Sequence, residues 1–154
     1  MASYPRMIAR AALALAALAG PVPTAAAAGP PAQPAALSHC TDFTVVKAGP
    51  NAVILVPSIG GNTRAFTCKL ESGDRNAGVF VLQVALRECN FRANIEVDGI
   101  YGEHTRNAVI QLQSNRHITV DGVYGPQTGK AMNWPVLAAD DFSRVLACSG
   151  KFPG

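Results

Sequence analysis

The period of the apolar positions changes along the chain. Residues 43–47 (Phe-Thr-Val-Val-Lys) and 52–56 (Ala-Val-Ile-Leu-Val) are short β-branched runs with Gly49-Pro50-Asn51 between them, which predicts two strands joined by a turn. Pro57 closes the second run, Gly60-Gly61-Asn62 marks another turn, and residues 63–68 are read as a third strand. From residue 76 to 89 the spacing becomes helical. Val79, Leu82, Leu86 and Cys89 form one stripe, and Phe80, Val81 and Val84 lie off it. This predicts a helix covered on more than one side. Residues 105–115 repeat the helical pattern with Ala108, Val109 and Leu112. Residues 126–132 predict a short third helix, opened by Pro126 at a favourable first-turn position.

The N-terminus reads as an address. Arg6 and Arg10 precede an apolar run over 11–19, closed by Gly20-Pro21 and followed by small residues. That is the order of a secretory signal peptide. The run is about half the roughly 20 residues that a spanning helix needs, so no membrane association is expected after cleavage. Cleavage near residues 26–28 removes two arginines and leaves a near-neutral chain, so the formal charge of +3 and the pI of 8.8 say little about the partner. No basic stripe points to nucleic acid. Residues 29–39, with Pro30, Pro31 and Pro34, predict an extended linker.

Cys40, Cys68, Cys89 and Cys148 all follow the signal region. In an oxidising compartment four cysteines read as two disulfides. Three connectivities are open. The favoured one is Cys40–Cys68, stapling a sequence-local unit, with Cys89–Cys148 tying the tail to the core. No C-x-x-C pair is present, so no metal site is expected despite His39, His104 and His117. No cofactor is expected. There is no H-E-x-x-H, no G-x-S-x-G and no free thiol with a base, so the chain is read as a non-enzyme.

The most informative feature is an internal repeat. Ile95-Glu96-Val97-Asp98-Gly99-Ile100-Tyr101-Gly102, followed by Thr105 and Ala108, aligns with Ile118-Thr119-Val120-Asp121-Gly122-Val123-Tyr124-Gly125, followed by Thr128 and Ala131. In each copy an extended apolar piece enters an Asp-Gly turn, a second glycine precedes a helix, and a threonine sits in the helix's first turn. Asp98, Gly99, Asp121 and Gly122 are therefore read as structural loop residues, with the aspartates stabilising turns. Tyr101 and Tyr124 are either core rings or hydroxyls facing a groove.

These residues resemble the type-1, three-helix peptidoglycan-binding domain of bacterial cell-wall proteins. The resemblance is carried by Leu70, Gly73, Val79, Leu82-Gln83 and Leu86, then by Val97-Asp98-Gly99, Tyr101-Gly102, Thr105, Ala108-Val109 and Leu112-Gln113. It closes with Ile118, Val120-Asp121-Gly122, Gly125-Pro126 and Thr128. Asn76, Asn90 and His117 stand where the family usually has glycine, residues that tolerate a left-handed backbone. The fold class implied is mainly α: a small three-helix domain over 70–137, with a disulfide-stapled β-hairpin-type N-terminal appendage over 40–69. The signal over 1–28 and the linker over 29–39 precede these, and a C-terminal tail over 138–154 follows, held by Cys148.

The resemblance implies a non-catalytic module whose partner is peptidoglycan; with the signal region the protein is read as secreted, extracellular or wall-associated, and as a monomer. Tyr101, Arg106, Asn107 and Tyr124 are the candidate ligand-binding residues, offering hydroxyls, an amide and a guanidinium to a glycopeptide. The alternative is a secreted, disulfide-stabilised inhibitor or interaction protein that binds another protein.

Overall fold

The computed structural model describes residues 36–90 and 94–152; the signal peptide and most of the linker read from the sequence lie outside them. The element order is β1 (Asp42–Gly49), β2 (Ala52–Ser58), α1 (Ala77–Cys89), α2 (Glu103–Asn115), α3 (Pro126–Ala131), β3 (Trp134–Ala138) and β4 (Val145–Ser149). The strands form one antiparallel sheet in the order β1-β2-β3-β4.

The β1–β2 hairpin turns at Pro50-Asn51, with a register shift between Lys47 and Gly49. Strand β3 then joins the free edge of β2 through Ala52 opposite Ala138 and Val53 opposite Leu137, and β4 returns beside β3. Both faces of β2 are buried. Ile54 and Val56 belong to the main core with Val79, Leu82, Leu86 and Trp134. Val53 and Leu55 form a smaller core with Val81 and Leu137. Alternate side chains of one strand thus reach two different parts of α1, and the off-stripe apolar residues of that helix are used. Trp134 is fully buried, its indole N–H donating to Gly129 O at 2.9 Å.

A mainly α fold is therefore the wrong class for this chain. The described residues hold four strands beside three helices, and the strand residues form an integral layer against α1 rather than a hairpin at its side. The expected third strand over 63–68 is absent. Asn62 and Arg64 adopt left-handed backbone there, and Ile59 N–H donates to Ala65 O across a loop. The missed strands are β3 and β4. Pro135 weakens the strand signal of its run, and the pairing that makes it a strand comes from β2, some 80 residues earlier.

The disulfides are Cys40–Cys68 and Cys89–Cys148. The first pair is fully buried. The second joins the last residue of α1 to the exposed Cys148 of β4.

Candidate functional site

The two repeat loops are built around buried glutamines. Gln83, on α1, donates from Nε2 to Asp98 Oδ1 (2.9 Å), Ile100 O (3.0 Å) and Thr105 Oγ1 (3.0 Å). Its Oε1 accepts from the backbone N–H of Asp98 (3.1 Å) and Gly99 (2.8 Å). Gln113, on α2, does the same one repeat later. Its Nε2 donates to Asp121 Oδ1, Val123 O and Thr128 Oγ1 at 2.8, 3.0 and 3.1 Å. Its Oε1 accepts from Asp121 and Gly122 N–H at 3.1 and 2.9 Å. Gly99 and Gly122 hold φ of +73° and +70°, the left-handed region that glycine enters without cost. Each aspartate also accepts from the N–H two residues on, Ile100 or Val123, at 2.8 Å. Donation from Gln83 is the largest cause holding the Asp98 carboxyl below its ordinary value, followed by Ile100 N–H.

The structure corrects the two tyrosines. Tyr101 and Tyr124 are each 1% exposed, so neither ring has surface for a ligand. Their spacing puts them under the loops they follow, where apolar bulk is needed. Tyr101 Oη donates to Gly122 O at 2.9 Å, pinning the second loop to the first. Tyr124 lies edge-on to Trp134, with ring centroids 6.3 Å apart. Burial pushes both hydroxyls well above their usual range.

Arg106 and Asn107 lie exposed on α2. The Arg106 stem packs over Gly122, where an added Cβ would fall 2.9 Å from Arg106 Cγ. A shallow hollow of about 220 Å³ lies there, lined by Glu71, Ser72, Arg106, Gly122 and Val123. This hollow is what remains of the tyrosine-and-arginine cleft anticipated from the sequence. It presents the Arg106 guanidinium beside Ser72, with Glu71 on the other side, and the guanidinium suits a carboxylate or an amide carbonyl.

A second polar group sits at the start of the described chain. His39 Nδ1 lies 2.8 Å from Asp74 Oδ1 and its Nε2 lies 3.4 Å from Glu71 Oε1, while Lys69 Nζ reaches Glu71 at 2.6 Å. These contacts fasten the approach to Cys40 onto the turn before α1. Among the described residues no cluster of His, Cys, Asp and Glu has the makings of a metal site.

Residues 75–132 match the family model described as "Putative peptidoglycan binding domain". The match spans 58 of the 154 residues. Both glutamine-held loops and all three helices fall within the matched segment, and the sheet does not. Solved structures with partial similarity include the SleB N-terminal domain, at 29% identity over 40% of this chain and 84% of that one, with a TM-score of 0.38. A Burkholderia AP3 phage endolysin shares 40% identity over 39% of this chain and 22% of that one, with a TM-score of 0.37. A peptidoglycan-binding protein from Clostridioides difficile, in complex with glutamine hydroxamate, shares 24% over 56% and 53%, with a TM-score of 0.41. No curated protein matches the chain.

Within the matched segment, Asn76, Asn90 and His117 do three different jobs. Only His117 is left-handed, with φ +54°. It closes α2 while Ile118 N–H donates to Gln113 O. Asn76 is extended and caps α1, its side chain accepting from Val79 N–H. Asn90 is also extended, and its buried amide donates to Ala85 O and Asn133 O. The glutamines are the functional loop residues that sequence reasoning overlooked. The signal was available: a Leu-Gln pair sits on the buried stripe of both helices.

Proposed function

We propose that the protein is an exported, non-catalytic module that holds bacterial cell-wall peptidoglycan, using the α2 face that carries Arg106 and Asn107. The observation that carries this reading is the family match over 75–132, which spans both braced loops. A polymer-binding surface needs loops that do not reorganise on contact, and two buried glutamines, each with five polar partners, supply that rigidity. Export is supported by the leader pattern over 1–28 and by two disulfides. No helix among the described residues is long and apolar enough to cross a membrane. These features are consistent with an extracellular or wall-associated location.

Co-sedimentation of the oxidised protein with insoluble peptidoglycan, with chitin and cellulose as controls, tests the reading. Pelleting with peptidoglycan alone is expected, and Arg106→Ala should reduce the bound fraction. A protein that stays in the supernatant at high micromolar concentration would refute wall binding and turn attention to a protein partner.

A further inference from the structure

The internal repeat duplicates a hollow. The second repeat loop, at Gly122-Val123, borders the Arg106 hollow. The first, at Asp98-Gly99-Ile100, borders an open depression of about 390 Å³ that Arg75, Asn76 and Phe80 also line. The two differ in chemistry. Over the first loop the Phe80 ring is 45% exposed, and the polar groups around it are taken. Asn76 accepts from Val79 N–H and donates to Cys40 O. The Asp98 carboxylate accepts from Gln83 and from Ile100 N–H, and the Arg75 charge acts on it. Beside the second loop, Glu71 is paired with Lys69 at 2.6 Å. Arg106 makes no ion pair among the described residues. One hollow is thus an apolar seat, and the other supplies a cation.

A single short turn joins them. Leu70, before it, exchanges backbone hydrogen bonds of 2.9 Å with Tyr124 of the second repeat. Within it, Gly73 N–H donates to Tyr101 O at 3.1 Å and Asp74 O accepts from Tyr101 N–H at 2.9 Å. After it, Asn76 N–H donates to Gly99 O at 3.1 Å. Ser72 borders the Arg106 hollow and Arg75 borders the Phe80 depression. Three residues of chain reach at most about 11 Å, so one extended peptide of four or five residues can cover both hollows.

We infer that the two hollows form one continuous subsite for the stem peptide of the wall polymer, with a free peptide carboxylate on Arg106 and an alanine methyl against Phe80. The inference rests on the wall-binding reading above and assigns its ligand to the peptide rather than to the glycan. In the polymer the sugar carboxyl is amide-linked to the stem, so the free carboxylates belong to the peptide. A guanidinium therefore selects the peptide, through charge-assisted hydrogen bonds that an amide or a hydroxyl cannot match. The loops that frame both hollows are already braced by Gln83 and Gln113, so little ordering cost falls on binding.

The test titrates the oxidised protein by calorimetry or NMR shifts, beside pelleting with peptidoglycan that carries the same stem. The probes are a stem tetrapeptide of alanine, γ-linked D-glutamate, meso-diaminopimelate and D-alanine, the same peptide amidated at every carboxyl, and chitobiose. The free peptide should bind at least tenfold more tightly than its amide, the scale of one hydrogen bond to a charged group. Chitobiose should show no saturable binding. Arg106→Ala should remove the preference for acid over amide, and Arg106→Lys should restore part of it. Phe80→Ala should weaken acid and amide alike, about fivefold. Both side chains are exposed, so the melting temperatures should stay at the wild-type value. If the protein pellets but acid and amide bind alike, or neither binds saturably, the peptide subsite falls and wall binding stands. Saturable chitobiose binding that is lost in Phe80→Ala would give the depression to the glycan and overturn the assignment. If the protein neither pellets nor binds the peptide, both readings fall.

Discussion

Gln83 and Gln113 each have five polar partners around a fully enclosed amide, the two N–H groups being shared among three acceptors while the oxygen accepts from two backbone N–H groups. Truncating either leaves two backbone donors without their acceptor, while the threonine hydroxyl keeps its bond to Ile100 O or Val123 O. Gln83→Ala and Gln113→Ala should each cost about 2–4 kcal/mol in chemical denaturation, the combined cost of unpaired buried groups and a small cavity. Cooperative unfolding at the wild-type midpoint would contradict the bracing role. Asp98 gives a pH signature. Its pKa is lowered in the folded state, so its contribution is complete above the ordinary value of 3.8 and fades as pH falls through the lower folded value. Asp98→Asn keeps the acceptor for Gln83 and Ile100 N–H but does not titrate. Its stability should therefore fall less steeply than wild type as pH drops below about 4; parallel acid limbs in the two proteins would rule this out. At this scale the Asp-Gly turns were readable because a turn is local. The tyrosines were ambiguous because a ring and a hydroxyl suit either a core or a groove, and only the packing of Gly122 against Tyr101 decides.

Among the elements, α1 is the hub, since both cores and the first repeat loop are built on it. Its first turn carries Gly78 pressed against β1: an added Cβ would meet Asp42 O at 2.9 Å. Helix propensity alone says that Gly78→Ala gains up to about 1 kcal/mol. The backbone collision outweighs it, because overpacking costs about 1–3 kcal/mol and β1 has no rotamer with which to yield. Thermal melts should show the alanine variant destabilised, and a raised melting temperature would mean that the strand and helix are less tightly apposed. The helices were legible because their periodicity lies within 13 consecutive residues. Strand β3 was not, since its status as a strand depends on Val53 and Ala52 far upstream.

For the whole molecule, the two disulfides differ in access. Cys40 and Cys68 are fully buried, whereas Cys148 is exposed. Mild reductant followed by alkylation and peptide mass spectrometry should label Cys89 and Cys148 first, while Cys40–Cys68 persists. Losing the outer bond should cost about 2–4 kcal/mol and loosen the hairpin that carries Phe142. Simultaneous labelling of all four would mean that opening is global.

The positions of those bonds also decide how the molecule bears tension. A pull applied before Cys40 and after Cys148 crosses to Cys68 through the first bond and from Cys89 to Cys148 through the second. Residues 41–67 and 90–147 lie in closed loops off that route and carry no load. Only the stretch from 68 to 89 can be drawn out, roughly 70–75 Å of contour at full extension, against about 350–390 Å for the reduced chain. That stretch holds α1 and Gln83, so such a pull would strip the first repeat loop of its brace while the second, held by Gln113, stays within its closed loop.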